Sequence, residues 1–306
     1  MLPEPLLELG LAEGVVRDPA AALAPDPAAE VVLAWRDWIV SASAQHHHPV
    51  RRYLFFLKWM YATFHSIVQC FPKQDHGRGG LKDSCTIASN PLEMLHLANH
   101  LYVLDSYGVP GAILECGCYK GFSTCCLSHA AAFLERTLYA ADSFAGLPTP
   151  STQEQGFYAA GDFAASLEEV QRNLETFGRP RQMTFLPGWF SESLRGWREP
   201  LALLWIDVDL YQSAADVLES VYPALDRRGA IFSHEFIPEY IQQGRITHPR
   251  ESAGALLDFL QHRRLAYRAE HLHGHLARLS FPESVGTGSS DFLSAMIELF
   301  GWSDRP

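Results

Sequence analysis

A glycine-bearing turn in the middle of the chain holds the residues best suited to bind a ligand. Residues 111–124 read Gly-Ala-Ile-Leu-Glu-Cys-Gly-Cys-Tyr-Lys-Gly-Phe-Ser-Thr, so a glycine turn (residues 117–121) separates a strand pattern from a helix pattern. Glycine lets the backbone approach a ligand closely, and a helix N-terminus offers free N–H groups. Tyr119 occupies the middle glycine of the dinucleotide fingerprint, so a pyrophosphate fits badly. The turn instead suits the amino acid end of S-adenosylmethionine, whose ammonium Glu115 can orient.

An acidic residue ends the next apolar run along the chain. Residues 138–142 read Leu-Tyr-Ala-Ala-Asp, and Asp142 lies 21 residues after Gly121 (142 − 121). A carboxylate at this place in a nucleotide-binding fold accepts hydrogen bonds from the hydroxyls of an adenosine ribose. Together with the glycine turn, Asp142 predicts an S-adenosylmethionine site.

The elements that would position these residues follow a regular alternation. Apolar runs at 112–116, 138–142, 183–187, 201–207 and 230–233 alternate with helical patterns from 122, at 163–177, at 213–225 and from 251. Such βα alternation predicts a doubly wound, Rossmann-like α/β sheet. Residues 265–272 and 275–281 flank His273-Gly274 and predict an antiparallel hairpin. The predicted fold is thus a mostly parallel sheet, closed by a C-terminal antiparallel hairpin, of the kind found in class I methyltransferases.

Both ends of the chain differ from this central domain, which is predicted over residues 109–282. Residues 1–29 form a loose segment, and residues 30–108 form a helical region with helices at 30–43, 51–71 and 90–107. The apolar run 53–71 carries a narrow polar stripe, which a membrane span would tolerate poorly. We therefore expect a helix that is buried or lies at a subunit interface, and because its apolar surface is too large to be left in water we predict a homo-oligomer such as a homodimer. Residues 283–306 are predicted to be a linker and a last helix at 291–300.

Charge and cysteine usage exclude several classes of protein. The chain has 24 Lys and Arg against 35 Asp and Glu, a net charge of −11, and lacks the basic stripe of a nucleic-acid-binding protein. Its six cysteines have neither zinc-ribbon spacing nor the density of a disulfide scaffold. The N-terminus lacks the pattern of a signal peptide. A cytoplasmic protein without nucleic-acid or membrane partners is expected.

Several separate motifs occur in a recognisable order. They are Glu115-x-Gly-x-Tyr-Lys-Gly, Asp142-Ser-Phe-x-Gly-Leu-Pro, Gly161-Asp-Phe, Phe185-Leu-Pro-Gly-Trp-Phe and Asp207-x-Asp-x-Tyr. Together, across residues 84–236, they resemble the macrocin and mycinamicin O-methyltransferase family, whose members methylate sugar hydroxyls of macrolides. The resemblance implies an S-adenosylmethionine fold, a helical N-terminal region that assists oligomerisation, and a magnesium site at the ends of the fourth and fifth strands. The candidate cofactor-binding residues are Glu115, Gly117, Tyr119, Gly121, Ser123, Asp142, Ser143, Gly188, Trp189 and Asp207, with Trp189 as a stacking partner for adenine.

The implied metal site departs from the family pattern. The family ends its fifth strand in two aspartates, whereas His234 and Glu235 stand there in this chain. Asp207, His234 and Glu235 could still bind a divalent metal, since all three residue types are metal ligands, and this set suits manganese, iron or zinc. Equally, the metal could be lost and His234 could act as a general base. A third interpretation is that His234 and Glu235 only cap a strand end.

The predicted function is S-adenosylmethionine-dependent O-methylation of a small-molecule acceptor, such as a natural product or a sugar-bearing compound. Asp207, His234 and Glu235 are the candidate catalytic residues, and residues 237–250 and the N-terminal helices are expected to contact the acceptor. Two alternatives stay open: an N- or C-methyltransferase without metal, and a non-catalytic S-adenosylmethionine-binding subunit of a biosynthetic complex. A nicotinamide-dependent oxidoreductase is contradicted by the glycine spacing.

Overall fold

A computed structural model of the chain describes residues 49–72, 89–152, 154, 158–237, 251–286 and 288–304. The helices are α1 (Pro49–Cys70), α2 (Pro91–Ser106), α3 (Phe122–Phe133), α4 (Leu167–Phe177), α5 (Phe190–Ser193), α6 (Tyr211–Val221), α7 (Ser252–His262) and α8 (Ser289–Phe300). The strands are β1 (Ala112–Cys116), β2 (Leu138–Asp142), β3 (Met183–Pro187), β4 (Leu201–Ile206), β5 (Leu225–Ser233), β6 (Arg268–His273) and β7 (Leu276–Ser280). The predictions for residues 1–29, 30–43 and 238–250 lie outside the described residues.

The sheet has the order β3-β2-β1-β4-β5-β7-β6. Strands β1 to β5 pair in parallel, and only β7 and β6 run antiparallel to their neighbours. The α/β prediction with a closing hairpin is therefore confirmed. Strands β1 and β4 are fully buried because helices cover both faces of the sheet, which explains their unbroken apolar sequences.

Strand and helix bounds agree closely with the sequence pattern where apolar residues define them. Strands β1, β2 and β3 match the predicted limits residue by residue. Strand β5 begins at Leu225 rather than at residue 230, since Leu225 pairs with Leu201 across an irregularity in the ladder. The intervening polar residues 226–229 gave no apolar signal there.

Helix α1 packs within the chain rather than presenting its apolar face to solvent. Phe56, Leu57, Met60 and Phe64 are fully buried and belong to the same core cluster as residues of α2, α3 and the sheet. The argument for an oligomer from the apolar face of this helix is therefore wrong for these four residues, although Phe55 remains 62% exposed. None of the described helices is both long and apolar enough to cross a membrane.

Helix α2 begins with a complete capping box. The Asn90 side chain accepts the Glu93 N–H, and the Glu93 carboxylate accepts the Asn90 N–H. Pro91 occupies the first turn, where a missing N–H costs nothing. Because α2 is buried along nearly its whole length, its start is fixed against the sheet, and Glu93 is held in the interior with only 1% exposure.

Candidate active site

A cavity of about 770 Å³ opens at the carboxyl ends of the parallel strands, where ligands bind in doubly wound sheets. Most of the predicted site residues meet there. Those that line the cavity are Gly117, Tyr119, Ser123, Asp142, Ser143, Gly188, Trp189, Asp207, His234 and Glu235. Glu115 and Gly121 are the two predicted residues outside this lining: Glu115 lies in β1 and Gly121 at the end of the glycine turn.

The two glycines of the turn are required for different reasons. Gly117 has φ +83°, and a Cβ there would stand 1.9 Å from the backbone oxygen of Asp207. Only glycine lets the turn approach the end of β4 so closely. Gly121, at φ +84°, is the N-cap of α3, and its missing side chain makes room for Val170 of α4. Gly121 thus positions the helix rather than the ligand.

Asp142 holds the glycine turn in place through its carboxylate. Its Oδ2 accepts the N–H groups of Cys118 at 2.8 Å and Tyr119 at 3.3 Å, and its Oδ1 accepts that of Phe144 at 2.9 Å. Each carboxylate oxygen has about two acceptor positions. One position therefore remains on Oδ1, which limits what Asp142 can offer to a ribose while the turn keeps this form.

Glu115 lies fully buried beneath the turn. The Ser123 hydroxyl donates to its Oε1 at 2.5 Å, while its Oε2 has no hydrogen-bond partner among the described residues. Burial raises the pKa of Glu115 to about 8. A cation beside this carboxyl would lower its pKa again and be stabilised in turn. The arrangement fits the predicted role of orienting an ammonium group.

Aromatic side chains border the cavity near the predicted adenosine site. Trp189 is 40% exposed beside the cavity, at the N-cap of α5. Tyr119 and Phe163 meet edge to face with ring centroids 5.8 Å apart. A large indole left partly exposed at a cavity is available to stack on a flat ligand. The stacking role of Trp189 remains a prediction.

His234 lies between two carboxylates in the same cavity. Its Nδ1 is 3.4 Å from Asp207 Oδ1, and its Nε2 is 3.5 Å from Glu93 Oε2, an ion-pair distance rather than a close hydrogen bond. Burial alone lowers the pKa of His234, but the carboxylates of Asp207 and Glu93 outweigh it, and the pKa lies well above its usual value. The parallel pairing of β4 and β5 brings Asp207 and His234 together.

Glu235, the residue after His234, belongs to a second acidic pair with Asp209. Its carboxylate accepts a hydrogen bond from the Ser252 hydroxyl at the start of α7. Burial raises the pKa values of both Asp209 and Glu235. The charge of Asp207 raises the pKa of Asp209 further, and the charge of Asp209 raises that of Glu235, while a hydrogen bond with Glu235 partly lowers the pKa of Asp209. Because two buried carboxylates so close together cannot both ionise easily, this pair holds a proton near neutral pH.

Comparison with known proteins identifies the group to which this arrangement belongs. A sequence model of the macrocin O-methyltransferase (TylF) family matches residues 82–243. The chain belongs to this family. The resemblance carried by the motifs is thereby confirmed.

Two curated relatives carry O-methyltransferase names. The first, from Streptomyces olivaceus, is 8-demethyl-8-(2,3-dimethoxy-alpha-L-rhamnosyl)-tetracenomycin-C 4'-O-methyltransferase, 30% identical over 51% of this chain and 65% of its own length. The second, demethyldecarbamoylnovobiocin O-methyltransferase from Streptomyces niveus, is 34% identical over 42% of this chain and 54% of its own length. The chain thus spans less than two thirds of either relative.

A solved structure supports the fold. The O-methyltransferase NovP superposes with a TM-score of 0.61 at 21% identity, over 75% of this chain and 99% of NovP. At this identity the likeness concerns the fold alone. It supports the Rossmann-like methyltransferase fold of the chain.

The described residues do not complete the metal site that the family resemblance implies. Asp207 and His234 are close enough to share an ion, but Glu235 is engaged with Ser252, and His234 also faces Glu93. Among the described residues, no group of three or more His, Cys, Asp or Glu side chains could hold a metal ion. The predicted ligand set of Asp207, His234 and Glu235 is therefore not brought together.

Several residues of the cavity were not predicted from the sequence, among them three titratable ones that lie far from the motifs. Glu93, His275 and Asp304 line it, although they come from α2, the hairpin turn and the C-terminal tail. The Asn90-x-x-Glu93 pattern signals only the start of a helix. Nothing in the local sequence of His275 or Asp304 indicates a site, because their position depends on how distant elements pack.

Proposed function

We propose that this chain is an S-adenosylmethionine-dependent O-methyltransferase that methylates a hydroxyl of a small natural-product acceptor, with a sugar-bearing acceptor as the favoured class. Membership in the family and the names of two relatives support this activity. The observation that carries the proposal is the shared cavity, since it joins the glycine turn to the Asp207–His234 pair. Cofactor and acceptor can therefore meet beside a group able to take a proton.

The chain's own residues would divide the work as follows. The glycine turn, Glu115 and Asp142 hold S-adenosylmethionine, which when bound supplies a methyl group activated by its sulfonium. His234 in its neutral form accepts the proton of the acceptor hydroxyl, and Asp207 stabilises the imidazolium that results. The cavity walls align the acceptor oxygen with the methyl carbon, and such positioning supplies much of the rate.

We propose that proton transfer proceeds without a divalent metal, because the described residues do not complete a ligand set. Asp207 and His234 then act on the acceptor directly. Turnover in the presence of a strong chelator, at the rate seen without it, is the expected result. If the chelator abolishes turnover and added Mg²⁺ or Mn²⁺ restores it, the result favours the metal-assisted version of this reaction.

The activity is tested with the acceptors that the two relatives' names describe. The purified chain is incubated with S-adenosylmethionine and either 8-demethyl-8-(2,3-dimethoxy-α-L-rhamnosyl)-tetracenomycin C or demethyldecarbamoylnovobiocin. We expect a mass spectrum to show a product carrying one added methyl group, together with S-adenosylhomocysteine. Failure to bind S-adenosylmethionine in calorimetry would refute the proposal. Binding of S-adenosylmethionine without methyl transfer would favour the non-catalytic subunit. A product methylated on nitrogen or carbon would favour the N- or C-methyltransferase.

A homodimer and a cytoplasmic location are further parts of the proposal. The exposed ring of Phe55 lies 6.5 Å from that of Trp59 on the outer face of α1, which supports an interface there. Light scattering of wild type and Phe55→Asp should give a dimer and a monomer, respectively. A monomeric wild type would contradict the dimer. Location can be checked by fractionating the producing cells.

A further inference from the structure

The C-terminal tail, here residues 301–304, runs from the end of α8 to the cavity. Its glycine ends α8 in the left-handed conformation at φ +63°, which turns the chain away from the helix axis. Trp302 then stacks on Tyr61 of α1, with ring centroids 4.7 Å apart and planes 17° apart. The Ser303 N–H donates to the Tyr61 hydroxyl at 3.1 Å. These contacts deliver Asp304 to the cavity lining.

Asp304 adds a second cap to the start of α2. Its Oδ1 accepts the Leu92 N–H at 3.1 Å, which is one of the first-turn N–H groups that have no partner inside the helix. The Asn90 side chain accepts the N–H of Glu93, the next residue along. A carboxylate at this end of a helix is also favoured by the helix dipole. The tail therefore caps α2 with a residue that lies 212 positions further along the chain.

The other carboxylate oxygen of Asp304 binds the hairpin. Its Oδ2 accepts a hydrogen bond at 2.6 Å from Nε2 of His273, the last residue of β6. Both side chains are about one third exposed, with 32% for His273 and 33% for Asp304. Water therefore reaches this contact, here termed the tail clasp, which can exchange protons and separate without unfolding of the core.

Negative charge surrounds the imidazole of the tail clasp. The hydrogen bond to Asp304 raises the pKa of His273, partial burial opposes it, and the charges of Asp304 and of Glu93 from α2 raise it further. His275, on the turn of the hairpin, faces His234 instead, with ring centroids 5.4 Å apart. The protonated form of His273 is thus favoured by the carboxylates from the tail and from α2.

The other titratable groups near the tail clasp do not reverse this preference. The ring of His96, from α2, stacks on that of His273 with centroids 6.3 Å apart. Burial, together with the charges of His273 and of Arg278 from β7, lowers the pKa of His96 to about 3. His96 is therefore neutral beside the charged His273 near neutral pH. His65, from α1, acts on Asp304 and favours its ionised form.

The sign of these effects gives the tail clasp a pH window. A histidine whose pKa is raised by a partner contributes its full stabilisation below its ordinary pKa of about 6.5 and loses it as the pH rises through the raised value. Burial opposes ionisation of Asp304, but the hydrogen bonds from His273 and Leu92 outweigh it and lower its pKa. The charged contact is therefore complete in mildly acidic solution and is lost in alkaline solution.

We propose that the tail clasp is a pH-sensitive fastening, which holds the tail against the hairpin side of the cavity near neutral pH and releases it in alkaline solution. Asp304 lines the cavity together with Glu93 and His275, so its departure opens this side of the cavity to water. The stack of Trp302 on Tyr61 keeps the preceding part of the tail attached, which makes the movement local and reversible. The fastening is independent of the proposed methyl transfer.

Amide hydrogen exchange of Leu92 and Ser303 reports the position of the tail, because both N–H groups are bonded through it. Exchange is followed by nuclear magnetic resonance between about pH 6 and about pH 9, and each rate is divided by the intrinsic rate at that pH to give a protection factor. In wild type both protection factors should fall about threefold to fivefold across this range, as expected for loss of a partly exposed ion pair. The amide of Ile113 in β1 is the reference for the core and should keep its protection.

Two variants remove the charge of the tail clasp from either side. His273→Gln and Asp304→Asn should each give low protection throughout, without the dependence on pH. His271→Gln is the matched control, because it removes another exposed histidine of β6, whose ring nitrogen contacts the Gly274 carbonyl within the hairpin. This control should keep the wild-type profile.

Three results would overturn the inference. The first is wild-type protection of Leu92 and Ser303 that stays constant across the range. The second is a His273→Gln profile that keeps the wild-type dependence on pH. The third is an equal change in His271→Gln, which would assign the effect to β6 as a whole. Failure to bind S-adenosylmethionine would instead refute the proposed function and leave the tail clasp in place.

Discussion

The two sides of the cavity differ in how far apart their residues lie in the sequence. On the side of the glycine turn, Asp142 at the end of β2 binds the backbone of residues only 23 and 24 positions away, in the turn that follows the neighbouring strand β1. On the other side, Glu93 meets His275 across 182 positions, and Leu92 meets Asp304 across 212. The first side is built from consecutive elements of the chain, β1, α3 and β2. The second exists only after the whole chain has folded.

This difference suggests separate roles in evolution and in chemistry. A compact unit can keep one cofactor in place while the rest of the chain varies, because its contacts are local. On the other side, the residues that form the distant contacts of Glu93 with His275 and of Leu92 with Asp304 can be substituted without disturbing the glycine turn. We therefore expect substitutions on the two sides to affect cofactor binding and acceptor chemistry independently.

The largest effect is expected on the glycine-turn side, from Gly117→Ala. A Cβ at this position would stand 1.9 Å from the Asp207 backbone oxygen, at φ +83°. Strain and overlap together should lower the free energy of unfolding by roughly 3 kcal/mol or more and abolish S-adenosylmethionine binding. Thermal denaturation and calorimetry measure both.

Gly196→Ala is the matched control for that variant. Gly196 has φ +71°, but a Cβ there meets nothing within 4 Å. Only the conformational cost of about 1–2 kcal/mol is then expected, with cofactor binding intact. Equal losses in the two variants would show that the close approach to Asp207 has no special importance.

On the opposite side, His234→Ala should stop the reaction without releasing the cofactor. Removal of a general base typically costs about 10²–10⁴-fold in rate. We therefore expect kcat to fall by that order while calorimetry gives an unchanged S-adenosylmethionine affinity. A variant that keeps its full rate would remove His234 from the chemistry. A variant that loses cofactor binding would erase the distinction between the two sides.

A smaller effect is expected from Asp142→Asn, and it should concern cofactor affinity rather than the rate. The amide cannot accept at both ends, so it loses charge-assisted hydrogen bonds to the turn and the remaining acceptor position that we propose for the ribose. S-adenosylmethionine affinity should fall about 10- to 100-fold, with kcat at saturating cofactor little changed. Asp216→Asn, the same substitution on α6 and outside the cavity lining, is the control and should bind normally.

The same contrast explains which features could be predicted from the sequence. Strands β1 and β2 and the start of α3 were predicted to the residue, because apolar runs and glycines act locally. The neighbouring ends of β4 and β5 followed from the fold class, so Asp207 and His234 were correctly brought together. Glu93 and Asp304 could not be found, since no local pattern records which helix or tail packs over a strand end.

The predicted metal ligands illustrate the same limit. Residue types at Asp207, His234 and Glu235 were suitable for a metal, but side-chain direction decides the outcome. Glu235 is adjacent to His234 in sequence, but its carboxylate accepts a hydrogen bond from Ser252, 17 positions along the chain at the start of α7. The direction of such a side chain depends on hydrogen-bond partners that motif spacing does not reveal.

The smallest effect expected is a shift in pH dependence on substitution of Glu93. The titratable groups facing His234 are Asp207 after β4, Glu93 from α2 and His275 from the hairpin turn, with the Asp209–Glu235 pair beyond. The two carboxylates raise the pKa of His234. As the pH rises toward that pKa, the fraction of neutral, proton-accepting imidazole increases, and kcat should increase with it.

Removing one of those carboxylates in Glu93→Gln should therefore lower the pKa of His234 and move the rising part of the kcat profile to lower pH. Nuclear magnetic resonance of histidine-labelled protein follows the ring directly, without an acceptor. Asn90→Ala is the control, because it breaks the same capping box and costs about 1 kcal/mol of stability but leaves the charge facing His234 in place. If both variants shift the profile equally, the cause is loosening of α2. If neither does, Glu93 exerts no influence on His234, and the contact across the cavity is only structural.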